Sequence, residues 1–205
     1  MHIQLAEIGK KFNREWIFKD VNFTFQENSV TAILGSNGSG KSTLLKIISA
    51  AELPSSGIIS YTNFTNKLVD LNEVYQYISF VGPYMDLPEL LTLDEVFKFH
   101  NQFRPINMEL EEFAKTVYLE NDRQKQIKNY SSGMRQRLKL GLSILSQSPI
   151  LFLDEPCSNL DHMGIDLYQR LLKNNADNRI ILIGSNDDKN EIFMATQTID
   201  IMNYK

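Results

Sequence analysis

The sequence predicts one α/β domain, on three observations: apolar runs of strand length, amphipathic helical stretches between them, and a Gly-rich loop joining one run to a helix. The runs at 150–153 and 179–184 flank a helical pattern at 165–174, as parallel strands with a crossover helix do. At 205 residues the chain suffices for one well-packed domain and is too short for two large ones.

Taken in order, Ile3, Leu5 and Ile8, then Val21, Phe23 and Phe25, are near-alternating apolar positions. They predict two antiparallel strands with a turn at 13–15. Residues 30–34 form a short strand entering the Gly-rich loop, and 41–51 continue as a helix that ends before Pro54 and Gly57. Strands follow at 58–61 and 78–81, after which Gly82 and Pro83 break the pattern. Thr92 with Glu95 fits a capping box for a helix reaching about residue 103. A second helical pattern covers 108–118, and Met134, Leu138, Leu142 and Leu145 recur at helical spacing within 132–147. The middle of the chain, roughly 84–147, therefore reads as an inserted helical subdomain.

Composition narrows the function. The chain is 42% hydrophobic and 22% charged, the balance of an ordinary globular protein. Its net charge of -4 is opposite to the basic footprint of most nucleic-acid binders, so no nucleic-acid partner is expected. The apolar runs fall far short of the roughly 20 residues that cross a bilayer. The start Met1-His2-Ile3-Gln4 lacks a secretory pattern, which predicts a cytoplasmic location. The single cysteine, Cys157, has no partner for a disulfide or a thiolate metal site and reads as a small buried residue.

Gly35, Ser36, Asn37, Gly38, Ser39, Gly40, Lys41 and Ser42 match the phosphate-binding loop, with two glycines separated by four residues and followed by Lys and Ser. Glycines let backbone N–H groups converge on phosphate oxygens, and the following helix, which continues through Thr43, presents its positive end. Lys41 supplies a full charge to the β and γ phosphates, and Ser42 a magnesium ligand. ATP and Mg2+ are the cofactors this implies. Farther on, Asp154 and Glu155 stand at the carboxyl end of an apolar strand, suited to holding the ion and to orienting the water that attacks the γ phosphate.

Tyr130, Ser131, Ser132, Gly133, Met134, Arg135, Gln136 and Arg137 then resemble the signature motif of the ABC ATPase family. The resemblance covers the chain from Phe12 to about Ile183. It implies a P-loop NTPase (RecA-like) core with an N-terminal antiparallel β subdomain and the inserted helical subdomain. It also implies that Ser131 and Gly133 of one protomer cap the γ phosphate held by the other's loop. Ser158 to Asp161 resemble the family's D-loop, which puts Asp161 at the dimer interface. Phe12 stands where the family has the aromatic residue that stacks on adenine, with Trp16 as the alternative.

The chain departs from the family at two catalytic positions. Gly82 and Pro83 stand where a Gln is usual, and Asn186 stands where a His contacts the γ phosphate; Asn can donate a hydrogen bond but carries no charge. Ser132 and Met134 replace a Gly and a Gln within the signature. Glu155 is retained, so the resemblance implies an ATPase that is slow, with Glu155, Lys41 and Asn186 as its catalytic residues. The function implied is a transporter motor: a nucleotide-sandwich dimer, with an identical or different second ATP-binding subunit, coupled to a separate membrane permease at the inner face of the cell membrane. Tyr84, Met85, Leu87 and Leu90 are candidates for the permease contact. The alternative is an ATP-dependent dimerisation switch acting on a non-transport partner.

Overall fold

The computed structural model describes residues 1–205. Strands β1 (His2–Phe12) and β2 (Glu15–Gln26) form a hairpin closed by the pair Phe12 and Glu15. Asn13 takes φ 55° in the turn, a left-handed conformation that Asn tolerates. The imperfect alternation of Ile3, Leu5 and Ile8 has a physical cause: the register shifts between Leu5 and Ile8, and Glu7 lies at φ 55°. A bulge of this kind resets the pleat, so all three side chains are buried.

β3 (Ser29–Leu34) runs into the Gly-rich loop and then α1 (Lys41–Ile48). The helix is shorter than the 41–51 expected, because Ala50 turns left-handed at φ 58° and ends it ahead of Pro54. β4 (Ser56–Thr62) pairs with the free edge of β1, giving an antiparallel sheet ordered β2-β1-β4.

The second sheet is parallel. It contains β5 (Ile78–Val81), β6 (Ile150–Asp154), β7 (Ile180–Ser185) and β8 (Gln197–Asp200) in the order β5-β6-β7-β3-β8. Every residue of β6 and β7 is buried, as for strands covered on both faces. β8 was not foreseen: it is a short edge strand whose one buried side chain is Ile199, too little pattern to read in sequence.

Between β5 and β6 lie α2 (Leu93–Asn101), α3 (Leu110–Thr116) and α4 (Ser132–Ile144). The predicted capping box is present, with the Glu95 carboxylate accepting from Thr92 N–H at 2.8 Å and Thr92 Oγ1 accepting from Glu95 N–H at 3.3 Å. These helices share an apolar cluster of their own that includes Leu93, Phe97, Phe113, Val117 and Leu138. Gly141 permits their close approach, since a Cβ there would lie 2.4 Å from Val117 Cγ1. α5 (His162–Asn174) begins earlier than the sequence pattern suggests, because the Asp161 carboxylate accepts from Gly164 N–H at 2.8 Å and caps it. No helix is long and apolar enough to cross a membrane.

Phe113 is fully buried at the centre of the helical cluster. Phe113→Ala is expected to cost about 3–5 kcal/mol, read as a lower urea midpoint by circular dichroism.

Candidate functional site

All five parallel strands end on one side, and pairing fixes which ends meet. Leu34 pairs with Ser185, and Asp154 with Gly184. The loops after β3, β6 and β7 therefore gather at one edge of the sheet, where open α/β folds bind ligands.

The first loop wraps the N-terminus of α1. Gly40, at φ 109°, caps that helix, and a Cβ on it would come 2.7 Å from Ile17 Cγ2; both facts require glycine. Lys41 is buried, and its ammonium donates to Gly35 O at 2.8 Å, Ser36 O at 3.1 Å and Asn186 Oδ1 at 2.5 Å. These three bonds use all its protons. Ser39 Oγ is buried with no partner, while its carbonyl accepts from Lys205 Nζ at 2.7 Å.

At the end of β6, Asp154 is 3% exposed and its Oδ1 has no hydrogen bond. Burial pushes its carboxyl above the usual range; the Ser42 hydroxyl, donating to it, opposes that shift, and the charge of Glu155 adds to it. An unpartnered carboxylate oxygen beside a hydroxyl suits a hard divalent cation such as Mg2+. No group of three or more His, Cys, Asp or Glu could hold a metal, so a cation at Ser42 and Asp154 needs phosphate and water for its remaining ligands.

Glu155 has φ 48° and donates its N–H to Gly184 O at 2.9 Å. A non-Gly residue held left-handed costs about 1–3 kcal/mol, and such strain clusters at functional sites. Gly184 went unnoticed in the sequence, yet a Cβ there would lie 2.7 Å from Asp154 Oδ1 and 2.8 Å from Leu45 Cδ1. Asn186 joins the loops: besides accepting from Lys41, its amide donates to Asn37 Oδ1 at 2.6 Å and to Glu155 Oε1 at 3.5 Å. Glu191 was also missed. It is buried, and its carboxylate accepts from Cys157 N–H at 3.1 Å, tying the stretch after Glu155 to the one after Asn186. A lone Glu in a polar stretch gives no sequence signal for this.

A cavity of about 570 Å³ opens over the loop, lined by residues 37–43 and by Phe12, Lys46, Pro83, Tyr84 and Glu155. That size is usual for a ligand pocket. It takes in Phe12 and leaves out Trp16, whose ring instead has Lys11 Nζ at 5.4 Å and Lys19 Nζ at 5.3 Å. Where a Gln was looked for, Gly82 is followed by Pro83 and Tyr84, and the Tyr84 ring lies 5.2 Å from Lys46 Nζ. Ser131 and Gly133 do not line this cavity. Ser131 caps α4 by accepting from Met134 N–H at 3.2 Å, and a Cβ on Gly133 would lie 3.1 Å from Asn159 O.

Residues 18–158 match the ABC transporter family. The sulfate/thiosulfate import ATP-binding protein CysA of Synechococcus elongatus is 31% identical over 98% of the chain, which spans 60% of that protein. Human ATP-binding cassette sub-family A member 9 is 28% identical over 97% of the chain, but the chain spans only 13% of that relative's length. Among solved structures, a Pyrococcus furiosus chain described as an ABC transporter ATP-binding protein superposes with TM-score 0.83 over 100% of both chains, at 20% identity. The dimeric ATP-binding cassette MJ0796, bound to ADP and Pi, gives TM-score 0.78 at 26% identity over 93% of this chain and 90% of that one.

Gly184→Ala is expected to destabilise the protein by about 1–3 kcal/mol, because the methyl group collides with Asp154 and Leu45. Differential scanning calorimetry of the two purified proteins checks this; an unchanged melting temperature contradicts the packing argument.

Proposed function

Because the chain belongs to the ABC transporter family, we propose that it binds Mg-ATP, hydrolyses it slowly as one half of a nucleotide-sandwich dimer, and drives a separate membrane permease. The observation that carries this reading is the convergence of Lys41, Ser42, Asp154, Glu155 and Asn186 at one end of the parallel sheet. The adenine stacks on Phe12, and the backbone amides of residues 35–43 take the phosphates at the start of α1. Lys41 turns to the β and γ phosphates, giving up the Asn186 amide oxygen. Ser42 and Asp154 would hold magnesium, which would supply charge neutralisation at the phosphates. Glu155 accepts a hydrogen bond from the attacking water and orients it.

Ser131 and Gly133 serve the nucleotide of the second subunit. Their exclusion from the chain's own cavity supports a role in trans, and the amides opening α4 suit an anion. Asp161 caps α5 through Oδ1, which fixes the loop after Ser158 and leaves its Oδ2 for the dimer contact.

Slow turnover follows from chemistry at two positions. Asn186 donates to the γ phosphate without a charge, and Pro83 has no amide side chain. Losing one transition-state donor costs about 3 kcal/mol, or about a hundredfold in rate. The same two departures favour the second reading, in which ATP chiefly closes a dimer that regulates a non-transport partner.

The permease seat we assign is a groove of about 250 Å³ between the end of β5 and helices α2 and α4, walled by Phe80, Met85, Leu87 and Leu142. Tyr84 faces the nucleotide cavity instead, and Leu90 lines neither. Docking there holds the domain at the inner face of the cell membrane.

Magnesium-dependent ATP hydrolysis measured beside Lys41→Ala tests this reading. Turnover lost in the variant establishes an active motor; none above the variant favours either the dimer switch or an enzyme that needs its membrane partner to become active. Glu155→Gln is expected to accumulate an ATP-dependent dimer on size exclusion, and a monomer at every ATP concentration contradicts the sandwich. Asn186→His is expected to raise turnover by about ten- to a hundredfold, and an equal rate rejects the missing charge as the limit.

A further inference from the structure

The phosphate loop is held from behind by the segment that follows β8. Asp200 pairs with Leu34 where β8 lies against β3, and it caps a short 3-10 helix, Ile201–Tyr204, by accepting from Met202 N–H at 2.9 Å. That helix packs against the start of the loop. Ile201 is fully buried, and a Cβ on Gly35 would lie 2.6 Å from Ile201 Cγ2. Directly after the helix, Lys205 Nζ donates to Ser39 O at 2.7 Å, and Lys205 belongs to none of the molecule's ion pairs.

Ser39 and Gly40 line the nucleotide cavity, whereas Lys205 does not. The peptide between them is trans, so its N–H points opposite to its C=O. With the carbonyl turned out to Lys205, Gly40 N–H is turned in toward the cavity, and no backbone group of the chain accepts from it. Gly40, at φ 109°, tolerates either orientation of that peptide. The choice is made by whatever holds the carbonyl. Lys41 is not available for this, because its ammonium already serves Gly35 O, Ser36 O and Asn186 Oδ1.

We infer that Lys205 is a positioning residue for phosphate binding: by taking the Ser39 carbonyl, it fixes the Ser39–Gly40 peptide with its N–H aimed at the phosphate oxygens. An orientation set before binding spares the complex the cost of ordering the loop, and a hydrogen bond from a charged donor holds it more firmly than a neutral one. The inference rests on the reading of residues 35–43 as the phosphate site and adds what preorganises that site.

Inorganic pyrophosphate and ADP, each titrated into the isotope-labelled full chain and followed at the Gly40 amide by NMR, test it. Both are expected to move that signal saturably in the native chain. Lys205→Met is expected to raise the half-saturation concentration of pyrophosphate about tenfold and to shift the Ser39 carbonyl carbon before any ligand is added. Lys205→Arg keeps a charged donor and is expected to recover most of the affinity. Equal pyrophosphate affinity in the native chain and Lys205→Met overturns the inference and leaves the phosphate site standing. Affinity lost with the Ser39 carbonyl signal unmoved reduces Lys205 to a distant charge and overturns its positioning role, as does a Lys205→Arg chain no better than Lys205→Met. A Gly40 amide that responds to neither probe in the native chain overturns the phosphate site itself.

Discussion

The register of three parallel strands is the constraint on which the site depends. β3 pairs with β7 so that Leu34 meets Ser185, and β7 pairs with β6 so that Gly184 meets Asp154. Parallel pairing sends all three chains out at the same edge, which brings residues 35, 155 and 186 into reach of one another. A slip of one residue would turn β7 side chains to the opposite face. It would also part Glu155 N–H from Gly184 O and move Asn186 away from Lys41. The buried apolar faces of β6 and β7 hold that register, so the core fixes the geometry of polar groups that contribute little to holding themselves in place.

Those polar groups are under tension. Asp154 keeps an unpartnered oxygen in the interior, Ser39 an unpartnered hydroxyl, and Glu155 a left-handed backbone. Each disfavours the fold taken alone, and buried polar atoms without partners are uncommon. They lie together around the end of one sheet, the edge at which open α/β folds bind ligands. Left-handed residues also occur at turns and bulges elsewhere, at Glu7, Asn13 and Ala50, and His100 buries an unpartnered Nδ1, so it is the coincidence of three such breaches at one sheet edge that marks a binding site.

How much of this was legible in the sequence depended on how local its cause was. The Gly-rich loop, the Asp154–Glu155 pair and the Thr92–Glu95 capping box are each contained within a few residues, and could be read directly. The bulge at Glu7 left a trace as a broken alternation. Helix ends were overrun at Ala50 and Ile144 because apolar spacing continues past the point where the backbone turns. β8 could not be seen, since a single buried Ile199 makes no pattern. Gly184 looked like any residue of a buried strand; its need for a missing side chain comes from Asp154 and Leu45, which are distant in sequence. That Phe12 lines the cavity and Trp16 does not likewise depends on the folded position of each ring.

The sheet order also has a consequence for how the chain is made. β3 is synthesised well before both of its neighbours, β7 and β8. Until about residue 200 has left the ribosome, the phosphate loop hangs from a strand with two open edges, and long-range pairings of this kind form slowly. The nascent chain meanwhile carries an apolar segment at 30–34 that invites mispairing. The phosphate loop is thus translated before the strands that fix it, and its geometry is assembled only once β7 and β8 have been made.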